Sequence, residues 1–116
     1  MPDPIGYRRW AIAEGRLPGT GTETACILNA SDDDAHVALT VFYADREPAG
    51  PYFVCVPARR TLHLRLDELD DPEPIEHDCD YASVLESDVP VVVQYSRVEP
   101  CKDDASQLTT IAYAGD

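Results

Sequence analysis

The chain has 116 residues, which fits one domain of ordinary size and leaves little room for a second. It carries 22 acids against nine bases, a formal charge of −13, so its mean field repels phosphate backbones and no nucleic-acid partner is expected. No apolar run approaches the roughly 20 residues that span a bilayer, and the opening MPDPIGYRRW lacks the apolar centre of a secretory signal, so a soluble, cytoplasmic chain is expected.

Taken in chain order, the sequence alternates with period two and is punctuated by proline and glycine. Residues 8–14 (RRWAIAE) read as a strand closed by Gly15, and 16–23 (RLPGTGTE) as a loop. Residues 24–30 (TACILNA) form the next strand and 31–34 (SDDD) an acidic turn. The clearest strand is 35–44, with Val37, Leu39, Val41 and Tyr43 on one side; 45–50 turns it back into 51–58, giving a hairpin. Strand 60–66 alternates Leu62, Leu64 and Leu66 with Thr61, His63 and Arg65. Residues 67–78 are a long acidic connection, with room at LDEL for a single helical turn. Strands follow at 80–87, 90–99 and 107–114. Eight short strands with turn signals between them, and no amphipathic helix of ten residues, predict an all-β antiparallel β-sandwich, jelly-roll-like, in a single domain over 1–116.

Enzyme signatures are missing from the text. There is no G-x-S-x-G, no H-E-x-x-H and no glycine loop between a strand and a helix. The chain is therefore read as a non-enzyme without a cofactor. Cys26, Cys55, Cys79 and Cys101 include no C-x-x-C pair, and the two in apolar strands, Cys26 and Cys55, read as small hydrophobes. The run HDCD (77–80) puts four ligand-type side chains in sequence, but neighbours on an extended backbone point apart, so no metal site is expected.

Three groups remain as candidate sites. Trp10 and Glu14 share a strand face across Ile12, either as an indole wall beside a carboxylate or as a core aromatic with an acid at the rim. Arg59, Arg60, His63 and Arg65 concentrate base in a chain with little of it. They read as an anion or polyol site, a subunit interface, or the wet face of a strand. The strand VVVQYSRVE carries Gln94 and Arg97 among valines, where a polar group needs partners.

The blocks WAIAEG, CILNA, DAHV, EPAGPY, VPARRT, DPEPIEHDCDYASV, VPVVVQ and TIAYA run in order over nearly the whole chain. Together they resemble the sensory rhodopsin transducer family. That resemblance implies a compact β-sandwich and a homotetramer. It also implies either a small-molecule-binding signalling role, for sugars or related metabolites, or docking on a membrane photoreceptor. The signature it places on this sequence comprises Trp10, Glu14, Asn29, His36, Arg59, Arg60, His63, Arg65, Asp80, Gln94 and Arg97. From these, Trp10, Glu14, Arg60, His63, Arg65, Gln94 and Arg97 are taken as ligand-binding candidates. His63 and Arg65, with Arg60 and one or more carboxylates, are expected to form a polar cluster at a subunit boundary or pocket mouth.

Overall fold

Alternation becomes architecture in the computed structural model of the chain, which describes residues 5–17, 21–100 and 105–115. The strands are β1 (Tyr7–Ile12), β2 (Thr22–Asn29), β3 (Ala35–Tyr43), β4 (Ala49–Val56), β5 (Arg60–Arg65), β6 (Tyr81–Pro100), β7 (Ala105–Ile111) and β8 (Tyr113–Ala114). Among the described residues the sole helical element is one 3-10 turn, Leu66–Glu68, where the LDEL segment allowed it. All named strand pairs are antiparallel. The chain is an all-β sandwich, as its turn spacing predicts.

Two sheets share β6. The first runs β4-β3-β6-β1-β8; the second runs β5-β2-β6-β7. Residues 81–87 of β6 pair with β3, and 92–98 pair with β2. The sequence divides this stretch into separate strands at 80–87 and 90–99, but the strand is continuous. Tyr7 faces Val91 whereas Arg9 faces Glu86, so 87–90 bulges out of the ladder. A bulge is one of the few places where a strand tolerates proline, and Pro90 occupies it. The predicted strand 107–114 does the opposite and splits. β7 pairs with β6 in the second sheet, β8 pairs with β1 in the first, and buried Ala112 crosses between them, its N–H bonded to the Val93 carbonyl at 3.2 Å.

Between the sheets lie Ile12, Ala25, Ile27, Val37, Leu39, Val41, Tyr52, Leu85, Val91 and Val93, all buried. Each large apolar side chain removed from water in this way contributes about 1.5–3 kcal/mol. The β3–β4 hairpin needs Gly50: its φ is +124°, and a Cβ there would stand 2.9 Å from the Leu39 carbonyl oxygen. Leu66 is buried, but Leu62 and Leu64 are only half-buried, short of the full burial their alternation suggests. The reason is that β5 is an edge strand, paired with β2 alone. Cys26 and Cys55 also depart from expectation. Both point outward, Cys26 half-buried and Cys55 exposed; with Cys79 they are free thiols, and Cys101 lies outside the described residues.

Candidate functional site

The inward face of β2 runs Glu23, Ala25, Ile27, Asn29, and all four are fully buried. An apolar face with a carboxylate at one end and an amide at the other demands partners at both ends. At the amide end, Asn29 donates from Nδ2 to the carbonyls of Asp33 (2.8 Å) and Val56 (3.0 Å), and its Oδ1 accepts from the Ser31 N–H (3.0 Å) and hydroxyl (2.7 Å). Beside it, Arg59 pairs with Asp32 at 2.6 Å, and the Ala58 N–H is bonded to Asp34 at 2.9 Å. The acidic turn 31–34 is thus a knot of turn chemistry, and Asn29 and Arg59 are its fasteners.

The carboxylate end is different. Antiparallel register places Glu23 directly opposite Arg97, and Ala25 opposite Tyr95. The Arg97 Nε lies 3.4 Å from Glu23 Oε2. The Tyr95 hydroxyl donates to the same oxygen, the Tyr81 hydroxyl donates to Oε1, and the Arg16 N–H donates to both oxygens at 3.1 and 3.2 Å. Arg97 then reaches outward and pairs through Nη2 with Glu14. Side-chain exposure falls steadily inward along this chain of charges: 59% for Glu14, 14% for Arg97 and 0% for Glu23.

Segment 13–17 closes this end. The Tyr81 N–H donates to the Gly15 carbonyl (2.9 Å) and the Asp78 N–H to the Leu17 carbonyl (2.9 Å). Gly15 packs so close to the Tyr81 ring that a Cβ would stand 2.7 Å from it. On the surface beside it, Arg16 pairs with Asp80 at 3.1 Å. Burial, and then the hydrogen bond to Glu23, push the Tyr81 and Tyr95 hydroxyls far above the ordinary tyrosine range. Burial opposes the charge of Arg97, but its hydrogen bond to Glu14 and contact with Tyr95 outweigh that and raise its pKa.

The candidates read from sequence separate into distinct places. Glu14 and Arg97 are in direct contact. Trp10 is in the core, 5% exposed, its indole N–H spent on the backbone carbonyls of Val91 (2.9 Å) and Tyr7 (3.0 Å). His63 and Gln94 lie on the outer face of the second sheet, each directly opposite Cys26 across a strand boundary. Arg65 is on that face too and forms a fork with Asp67 at 2.8 and 2.6 Å. That hydrogen bond holds the Asp67 carboxyl below its usual range. Arg60 does not join them. It has the parity of Leu62 and Leu64, faces Asn29 at the strand's start, and donates to the Arg59 carbonyl at 3.1 Å. His36 is on the first sheet, 2.8 Å from Asp88. No three His, Cys, Asp or Glu side chains converge on a common point among the described residues. A separate recess of about 490 Å³, which none of the seven candidates lines, opens between Tyr43, Arg46, Glu73 and residues 74–77.

The architecture has counterparts among known proteins. The family model described as Anabaena sensory rhodopsin transducer matches residues 5–114. The chain belongs to that family. A solved structure of the Anabaena sensory rhodopsin transducer is 59% identical, with a TM-score of 0.75, covering 78% of this chain and 96% of that one. A Thermotoga maritima protein, known from its crystal structure, is 33% identical with a TM-score of 0.87, covering 95% and 96% of the two chains. No curated protein matches. For this transducer-family chain the residues that sequence reasoning passes over are Glu23 and Tyr81. Glu23 ends a segment rich in turn residues, and its signal is faint: counting back by twos from Ile27 and Ala25 lands on it. Among the described residues, no helix is long and apolar enough to cross a membrane.

Proposed function

We propose that the chain is a non-enzymatic signalling module that binds a small polar metabolite at the Glu14–Arg97 mouth of the buried network. The observation that carries this reading is Glu23: a carboxylate with no exposed surface, held by two tyrosines and an arginine, and linked to solvent through Arg97 and Glu14. Burying such groups has a desolvation cost of several kcal/mol per ion, and an apolar core of the same shape avoids it. A buried network of perturbed groups is a functional-site candidate, and a buried ion pair is weak evidence for stability. The tyrosines favour binding over proton transfer, because hydroxyls held protonated this firmly donate hydrogen bonds and do not act as bases near neutral pH.

The module is proposed to work in the cytoplasm as a homotetramer. Phe53 (77% exposed), Tyr113 (74%) and Phe42 sit on the outer side of the first sheet, exposed aromatics that association would cover. A second reading, docking on a sensory rhodopsin, is favoured by the 59% identity to a protein named for that role. The experiment is a metabolite screen by thermal shift on wild type and Arg97→Gln, with light scattering for mass. A compound that stabilises wild type and not the variant supports the reading. Hits indifferent to Arg97, or none while a rhodopsin binds, sink it in favour of docking; a monomer mass removes the tetramer.

A further inference from the structure

We infer that the mouth of the network is a carboxylate subsite, in which Glu14 stands in for the carboxylate of the ligand. This rests on the binding reading above and names the chemistry the site selects.

The two members of the Glu14–Arg97 pair are held very differently. Arg97 sits within β6, is mostly buried, and is fixed from behind by Glu23 across the strand boundary. Glu14 lies beyond the last residue of β1, in a stretch that makes no ladder pairs, and its side chain is mostly in water. Moving the guanidinium would uncover a buried carboxylate. Moving the acid only completes its hydration, and mostly solvated ion pairs hold weakly. Glu14 is therefore the exchangeable partner.

Charge decides what takes its place. Glu23 and Arg97 cancel, and the hydroxyls of Tyr81 and Tyr95 are already committed to Glu23. With Glu14 swung out, the Arg97 Nη2 that held it needs a new acceptor at the mouth. A guanidinium N–H is best answered by a charged oxygen, which makes a shorter and stronger hydrogen bond than a neutral one. A neutral polyol offers that donor only uncharged acceptors, and a cation offers it none. A carboxylate-bearing metabolite reproduces what Glu14 supplies and adds the contacts of its own body, so it competes with the internal acid despite the overall charge of −13.

The test is chemical rescue on the full chain. Glu14→Ala is melted with sodium acetate, sodium D-gluconate or D-glucose, the ionic strength held constant with sodium chloride. Glu14→Gln serves if the alanine variant does not fold. The variant is expected to melt up to about 4 °C below wild type. Acetate and gluconate should restore it saturably and glucose should not, and gluconate should bind it at least tenfold more tightly than it binds wild type by calorimetry. The rescue should vanish in Glu14→Ala/Arg97→Gln. Asp80→Ala, which opens the exposed Arg16 pair instead, should show none. Rescue that survives loss of Arg97, or is no larger than in Asp80→Ala, overturns the subsite. A ligand without a carboxylate that still requires Arg97 overturns it too, yet leaves the binding reading intact. Carboxylate rescue with no metabolite found for wild type supports the subsite and counts against that reading.

Discussion

Replacing Tyr95 with phenylalanine removes one oxygen and leaves the ring in place in the core. The lost group donates to Glu23 Oε2, which then keeps only the Arg16 N–H at 3.1 Å and the Arg97 Nε at 3.4 Å. A hydrogen bond to a buried charge contributes about 1.5–3 kcal/mol, and Glu23 and Tyr95 have no surface open to bulk solvent. For a chain of this length that corresponds to a melting temperature lower by roughly 5–15 °C. The chain has a single tryptophan, Trp10, buried between the sheets, so its fluorescence reports urea unfolding directly. The midpoint should fall with an unchanged slope, at a fixed protein concentration so that any assembly equilibrium is held constant. Tyr113→Phe, at an exposed position, should stay within about 0.5 kcal/mol of wild type. If Tyr95→Phe is equally silent, the hydroxyl is not serving a buried charge and the network argument fails.

Alkaline pH should unfold the protein through its tyrosines. Tyr52 is pushed up to about 12 by burial, and Tyr81 and Tyr95 lie higher still, whereas an unfolded tyrosine ionises near 10. Folded pKa values are raised, so this stabilisation is intact below about pH 10. It is lost above that, because the unfolded chain releases protons the native state retains, at about 1.4 kcal/mol per pH unit for each tyrosine. Urea midpoints that stay flat between pH 9 and 11 would contradict it. At the other end of β2, Asn29→Ala removes bonds to Ser31, Asp33 and Val56 and should cost about 2–4 kcal/mol, read from the same denaturation curves, without affecting any response that depends on Arg97. A loss below about 1 kcal/mol would show that the acidic turn holds itself.

Alternation was enough to read most of the sandwich. Val37, Leu39 and Val41 are inside because a strand has two faces and water is on one of them. Which strands pair is a long-range matter that no local period encodes, and so the single course of β6 through both sheets could not be read from its 20 residues. Arg97 was legible as a polar group in need of company, because it interrupts a run of valines. Its partner Glu23 was not, since it lies beside turn residues and far off in sequence, and only register brings the two together. Arg60 shows the reverse error: nearness in sequence to His63 and Arg65 suggests a cluster, while parity alone sends it to the other face.

The shared strand gives the sandwich a mechanical character of its own. Tyr81 and Tyr95 are fourteen residues apart on β6, about 46 Å if the strand ran straight, yet both hydroxyls close on one carboxylate. β6 therefore doubles back like a clip, with the bulge at 87–90 as its bow and Glu23 as the catch. A change at Glu23 therefore bears on both layers at once, because the two tyrosines that bind it belong to one strand paired into both sheets.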